Sequence, residues 1–65
     1  MKVQINGQTH DLPQGATLAD AAQSIAAQAP FAAALNLQFV PKSHYLQTLL
    51  LPGDQIEIIR PVTGG

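Results

Sequence analysis

Cysteine is absent from this sequence of 65 residues, so neither a disulfide nor a thiolate metal site can stabilise the fold. A domain of this length buries only about 60% of the surface that its unfolded chain exposes, which leaves a thin margin of stability. Aromatic residues are also few, at 5% of the chain, whereas hydrophobic residues of all kinds make up 46%. The composition therefore excludes a disordered segment and predicts one small domain with an aliphatic core.

Charge is scarce as well. Lys2, Lys42 and Arg60 are the only lysines and arginines, and the formal net charge is −1. Proteins that bind nucleic acid usually carry a clustered basic face, so we expect no nucleic-acid partner. No run approaches the roughly 18 apolar residues of a membrane span, and the first residues do not have the layout of a signal peptide. We therefore expect a cytoplasmic protein that has no membrane partner.

The first dozen residues predict a β-hairpin. Residues 2–5 alternate between polar and apolar side chains, and the pair that follows, Asn6 and Gly7, is well suited to a type I′ turn. With these two residues as the turn, Ile5 lies opposite Gln8. One face of the hairpin then gathers its apolar side chains, which are Met1, Val3, Ile5 and Leu12.

A helix is predicted next. Thr17 is a good N-cap, and Asp20, three residues later, completes a variant of the capping box. Apolar residues recur at helical spacing, so one stripe of the helix can pack on a sheet. The stripe consists of Leu18, Ala21, Ala22, Ile25 and Ala29. We expect Pro30 to end the helix.

The second half of the chain predicts further strands. Residues 33–40 indicate a short hairpin or a bent strand, with Pro41 at an edge or in a turn. A single helical turn can open at residues 43–45, and the leucines after it are expected to supply core or a short strand: Leu46, Leu49, Leu50 and Leu51. Residues 52–54 are a turn signal. Residues 55–60 form the second clear strand, in which Ile56 and Ile58 point inward.

The predicted order of elements is two strands, one helix and then two or three strands. One helix packed across a mixed sheet of four to five strands is the economical α+β arrangement for so short a chain. This is the layout of the β-grasp, or ubiquitin-like, fold. We expect the domain to span residues 1–61 and a flexible tail to span residues 62–65.

The tail ends in Gly64 and Gly65, which have no Cβ, so their backbone can enter a narrow channel and approach catalytic groups closely. The residues after Arg60 can extend on the order of 17 Å from the domain. A carboxylate is a poor electrophile, but a mixed anhydride with AMP reacts with a sulfur nucleophile, and a terminal thiocarboxylate can result. We expect the Gly65 carboxylate to be activated and loaded in this way; the alternative is that the glycines are only a frayed end.

Four blocks of sequence carry a resemblance to a known protein family. The blocks are Ala34–Asn36, Val40–Ser43, Gly53–Ile59 and Val62–Gly65. Their spacing, the length of the chain and the strand-turn-strand pattern at its start are also similar. Essentially the whole chain therefore resembles the ThiS family, the sulfur carriers of thiamine biosynthesis.

The resemblance implies a carrier that binds no cofactor itself and is not an enzyme. A ThiF-like adenylyltransferase would use ATP to adenylate the carboxylate of Gly65, and a cysteine desulfurase or another persulfide donor would supply sulfur. The thiocarboxylate would then pass to a ThiG-like thiazole synthase. Gly65 carries over as the site of adenylation and thiocarboxylation, and Gly64, with Thr63 and Val62, as the tail that enters the partner's active site.

Three residues depart from the family's pattern. Leu37 stands where Gly is common, Lys42 where Arg is more usual and Tyr45 where Trp is frequent. We expect the turn at Leu37 to differ or to be strained, and the three departures to affect turn geometry and surface detail, not the tail.

Ile59 is the remaining candidate for a functional residue. By alternation its side chain points away from the helix just before the tail, so we expect it, with Val62, to mark a docking surface for the activating enzyme; the alternative is that a loop covers this face. The two histidines, His10 and His44, lie at no metal-ligand spacing, and we expect neither to bind a metal nor to act in catalysis.

Other functions are compatible with parts of this pattern. The small subunit of molybdopterin synthase shares the tail chemistry, although Ala34–Asn36 and Val40–Pro41 fit ThiS better. A ubiquitin-like modifier would form isopeptide bonds with lysines of other proteins. A plain β-grasp binding module would keep its function after Gly64 and Gly65 were deleted.

Overall fold

Five strands and one α-helix make up the part of the chain that the computed structural model describes, which is residues 1–28 and 31–60. The strands are β1 (Lys2–Ile5), β2 (Gln8–Asp11), β3 (Ala32–Leu35), β4 (Gln38–Val40) and β5 (Gln55–Ile59), and the helix is α1 (Leu18–Ser24). The sheet order is β2-β1-β5-β3-β4, with β1 parallel to β5 and the other neighbours antiparallel. This is the predicted β-grasp arrangement, with five strands.

The first hairpin has the predicted turn and register. Asn6 and Gly7 have positive φ angles of 52° and 81°, as a type I′ turn requires, and Ile5 lies opposite Gln8. The apolar face of the hairpin packs as predicted. Val3, Ile5 and Leu12 are buried, and Met1 packs against them from the margin of the core.

The second hairpin, between β3 and β4, also has a two-residue turn with positive φ angles, but its residues suit that turn less well. Asn36 and Leu37 have φ angles of 49° and 69°. Leucine disfavours this left-handed region because its Cβ approaches the following carbonyl oxygen, whereas glycine adopts it freely. The strain predicted at Leu37 is therefore present, and its side chain is 83% exposed.

Helix α1 starts where the sequence predicted. The Thr17 hydroxyl accepts a hydrogen bond from the Asp20 backbone N–H at 3.3 Å, and the Asp20 carboxylate accepts one from the Thr17 N–H at 2.8 Å. This reciprocal pair satisfies backbone donors that would otherwise lack partners. Leu18 and Ala21 of the predicted stripe are completely buried.

The prediction that Pro30 ends this helix was wrong, because α1 ends at Ser24. Ala26 takes a left-handed φ of 54°, and its N–H bonds the Gln23 carbonyl at 2.9 Å. The next N–H, of Ala27, reaches back to the Ala22 carbonyl at 3.0 Å, which completes a Schellman-type ending. Of the stripe, Ile25 still packs on the core, while Ala29 lies with Pro30 outside the described residues.

The four leucines after the second hairpin contribute less core than predicted. Three of them are exposed, Leu46 by 77%, Leu49 by 65% and Leu51 by 66%. Residues 48–50 run beside residues 16–18, with a hydrogen bond of 3.0 Å from the Leu50 N–H to the Ala16 carbonyl. Since alternate side chains of an extended segment point to opposite sides, only Leu50 faces the core, where it is 3% exposed.

The helical turn predicted at residues 43–45 is a longer 3-10 helix, Lys42–Gln47, which follows directly after Pro41. Its Tyr45 is 8% exposed, and the Tyr45 ring stacks on Phe31 with 5.5 Å between the ring centroids. The expectation that the departure at Tyr45 affects turn geometry and surface detail was therefore wrong. Tyr45 is a core residue that closes the end of the domain beside β3.

Candidate functional site

The site predicted from the sequence begins where β5 ends. β5 is the central strand, with β1 on one side and β3 on the other. Its Ile56 and Ile58 are 1% and 6% exposed, so they fix the strand in the core beneath α1. Ile59, the last residue of the strand, is 57% exposed and points to the opposite face, as predicted.

The predicted tail lies outside the described residues. The roles assigned to its residues therefore stay predictions; these residues are Val62, Thr63, Gly64 and Gly65. What the structure does locate is the starting point of the tail. The chain reaches Arg60 directly from the central strand, whose side chains are held by the core and whose backbone is hydrogen-bonded on both edges.

Ile59 lies in a cluster of apolar side chains on the face of the sheet that α1 leaves uncovered. In the strand register Ile59 lies opposite Ala32, and Phe39 of β4 lies opposite Ala34. These residues share one face, because Ala33 between the two alanines is buried on the helix side. We call Ala32, Ala34, Phe39 and Ile59 the outer-face patch.

Phe39 is the member of the outer-face patch that the sequence analysis missed. Its side chain is 70% exposed, which is unusual enough for a phenylalanine to suggest a contact with another molecule. Period-2 alternation after the turn at Leu37 would have placed the Phe39 side chain on the other face of the sheet from Val40. Using that signal required knowledge that residues 33–40 form a hairpin, which the sequence left undecided against a bent strand.

A polar cleft lies on the other side of β5, next to β1. It has a volume of about 320 Å³ and is lined by Gln4, Asn6, Gly7, Gln55, Ile56 and Glu57. Glu57 alternates with Ile58 and therefore shares its face with Ile59. No lysine or arginine within residues 1–28 and 31–60 forms an ion pair with its carboxylate. The outer face thus offers apolar contacts along β3, β4 and the end of β5, and polar contacts along β1.

The two histidines lie apart from this region. His10 is half-buried in the edge strand β2, and His44 is exposed in the 3-10 helix. Within the described ranges, no three His, Cys, Asp or Glu side chains come close enough together to hold a metal ion. In the same ranges, no helix is both long and apolar enough to cross a membrane.

Comparison with known proteins extends to the tail. The family model described as "ThiS family" matches residues 3–65. Among solved structures, the crystal structure of a thiamine biosynthesis protein (ThiS) from Geobacter metallireducens is similar over 100% of both chains, with a TM-score of 0.81 and 20% sequence identity. At that identity the likeness shows the fold, which confirms the β-grasp prediction. A search of curated proteins finds no match.

Proposed function

The chain belongs to the ThiS family, and from this premise we propose that it carries sulfur for thiazole synthesis as a thiocarboxylate on Gly65. Family membership supports the broader role, that of a sulfur carrier in thiamine biosynthesis. One observation carries the finer proposal. The family match continues past Arg60, the last described residue, to residue 65, so it includes both terminal glycines.

The proposed chemistry takes place at the carbonyl carbon of Gly65. An oxygen of the carboxylate attacks the α-phosphorus of ATP, pyrophosphate leaves, and an acyl adenylate forms. A persulfide sulfur then attacks the carbonyl carbon and AMP leaves, which gives an acyl disulfide. A thiol of the donor or of another partner cleaves its S–S bond, is oxidised to a disulfide, and releases the thiocarboxylate. Adenylation replaces a poor leaving group on the carbonyl by AMP, a good one, and so divides one difficult substitution into easier steps, as in other covalent catalysis.

Partners do the catalytic work in this scheme, and the chain serves them as a co-substrate. The partners are a ThiF-like adenylyltransferase that binds ATP, a cysteine desulfurase or another persulfide donor, and a ThiG-like thiazole synthase. A cytoplasmic location, where these reactions would take place, stays a prediction.

The outer-face patch is the proposed docking surface for the activating partner. Ile59 and Phe39 supply large exposed apolar side chains, the kind of residue that dominates binding energy at protein interfaces. A partner that binds this face also lies beside the end of β5. Its ATP site can then be reached by a tail that extends on the order of 17 Å.

The proposed function is tested by reconstitution. The protein is incubated with ATP, a ThiF-like enzyme and a persulfide donor, and its intact mass and fragment masses are recorded. We expect one oxygen to be exchanged for sulfur, and the exchange to be located at Gly65. The matched control is the same chain ended at Thr63, which should fold equally well and gain no sulfur. A full-length chain that stays unmodified by partners of demonstrated activity would contradict the proposal, and recovery as an adduct on lysines would favour a ubiquitin-like modifier instead.

A further inference from the structure

The parallel pairing between β1 and β5 is short. Backbone bonds run from the Gln4 N–H to the Asp54 carbonyl and from the Asn6 N–H to the Ile56 carbonyl, each at 2.9 Å. After Asn6 the chain turns away into the first hairpin, so the backbone of β1 provides no hydrogen-bond partner for Ile58. The end of β5 would then be unpaired on this side, directly before the tail.

The side chain of Asn6 takes the place of the missing strand. Its Oδ1 accepts a hydrogen bond from the Ile58 N–H at 2.9 Å, and its Nδ2 donates one to the Ile58 carbonyl at 3.3 Å. Both backbone groups that Ile58 turns toward β1 are thereby satisfied. Among short side chains only an asparagine amide supplies an acceptor and a donor side by side, and asparagine also tolerates the left-handed φ of 52° that the turn imposes.

From this geometry we infer that Asn6 is a positioning residue for the tail. It fixes the backbone of Ile58, two residues before Arg60, and so sets the direction in which the tail leaves the domain and enters the partner's active site. The inference rests on the proposed function, because it assumes that the tail is the part that reacts.

The length of the tail makes this direction important. Once the tail is extended in the partner's channel, a rotation of roughly 10° at its base corresponds to a displacement of about 3 Å at an end about 17 Å away. Reacting groups must be aligned far more closely than that, since a misplacement of about 1 Å can lower a rate by about 100-fold. The partner's channel corrects part of the error, so we expect a smaller loss.

Asn36 provides a matched control at the opposite end of the same strand. It occupies the equivalent turn position, with a φ of 49°. Its Oδ1 accepts a hydrogen bond from the Gln55 N–H at 3.0 Å, and its Nδ2 donates one to the Asp54 carboxylate at 3.1 Å. Removal of either side chain therefore loosens one end of β5, but only Asn6 is at the end that leads to the tail.

The test compares Asn6→Gly with Asn36→Gly, since glycine keeps the positive φ and removes only the amide. With the activating enzyme and ATP, Asn6→Gly should lower the maximal rate of adenylation about tenfold and leave KM within about twofold. Asn36→Gly should leave both parameters within about twofold, although its urea unfolding midpoint should fall by about as much as that of Asn6→Gly. Equal rates for the two variants, or an unchanged maximal rate for Asn6→Gly, would overturn the inference.

A second variant keeps the test decisive if Asn6→Gly does not fold. Asn6→Asp retains the acceptor for the Ile58 N–H and loses the donor, so we expect an intermediate rate, about threefold below wild type. If the wild-type chain is adenylated and Asn6→Asp is adenylated at the same rate, the inference is overturned while the proposed function stands. If the wild-type chain itself is never adenylated, the proposed function is what fails. Amide exchange at Ile58, which needs no partner, should be faster in Asn6→Gly than in wild type, because the glycine variant lacks the oxygen that accepts from the Ile58 N–H, and unchanged exchange would also overturn the inference.

Discussion

At the scale of one residue, Leu37 has a backbone conformation that does not suit its side chain. It holds a φ of 69° at the position that Gly7 occupies in the first hairpin, and it is 83% exposed, so no packing compensates for the strain. A left-handed conformation costs a residue with a Cβ about 1–2 kcal/mol. Asn36 before it is better suited, because asparagine visits this region at lower cost.

Leu37→Gly is therefore expected to stabilise the protein. Relief of the strain exceeds the greater chain entropy of glycine in the unfolded state, so the free energy of unfolding should rise by about 0.5–1 kcal/mol. Urea unfolding followed by circular dichroism measures the change. Leu51→Gly is the matched control, since Leu51 is also exposed but has an ordinary φ, and this variant should be destabilised. A lower midpoint for Leu37→Gly would show that the turn is not strained.

At the scale of the element, the sequence was informative wherever one local pattern decided the structure. The turn at Asn6 and Gly7, the capping box of Thr17 and Asp20, and the alternation in β5 were all confirmed. Each depends on residues within about four positions of one another, and the relevant physics is hydrogen bonding or period-2 side-chain geometry.

The end of helix α1 could not be predicted in this way. Proline was the expected stop, but Ala26 turns left-handed first, and alanine gives no sign in the sequence of that conformation. Packing decides the outcome, because Ile25 beyond the helix still packs against the core. For a similar reason, the leucines after the second hairpin contribute less core than predicted. Leu50 is buried through pairing with a distant segment, and no local pattern distinguishes it from Leu49.

The outer-face patch is also an element-scale feature, since it requires three adjacent strands. Ile59→Ala and Phe39→Ala should each weaken docking by about 1–2 kcal/mol and so raise KM for the activating enzyme roughly 5- to 30-fold, with the maximal rate little changed. Both side chains are mostly exposed, so stability should change little. Steady-state adenylation kinetics measure the effect. Thr9→Ala, on the same face in β2, is the control and should behave as wild type; an unchanged KM for both patch variants would place docking elsewhere.

At the scale of the whole molecule, the folded body and the proposed reactive end have separate physical requirements. The body depends on a small aliphatic core, in which Leu18 of α1 is completely buried. A domain of this size has a total stability of only about 3–10 kcal/mol. In the proposed function the tail contributes the chemistry, and its predicted site, Gly65, lies outside the residues that the structure describes.

Leu18→Ala tests the fragility of the body. Truncation of a buried leucine removes about 2–5 kcal/mol, which is a large part of the total. We expect thermal unfolding to occur at a markedly lower temperature and sulfur loading to fall in parallel with the folded fraction. Ala19→Gly, on the partly buried side of the same helix, should have a smaller effect of about 1 kcal/mol. A Leu18→Ala variant as stable as wild type would mean that the core is not organised around this residue.

The separation between body and reactive end is best examined with a chain assembled by ligation that carries a carboxamide in place of the carboxylate at Gly65. The change leaves every described contact intact, so the urea unfolding midpoint should equal that of the carboxylate form. With ATP, activating enzyme and persulfide donor, the intact mass of the carboxylate form should show oxygen exchanged for sulfur, and the mass of the carboxamide form should not change. Sulfur gained by the carboxamide form would contradict the account, because the last carbonyl would then not be the reactive centre.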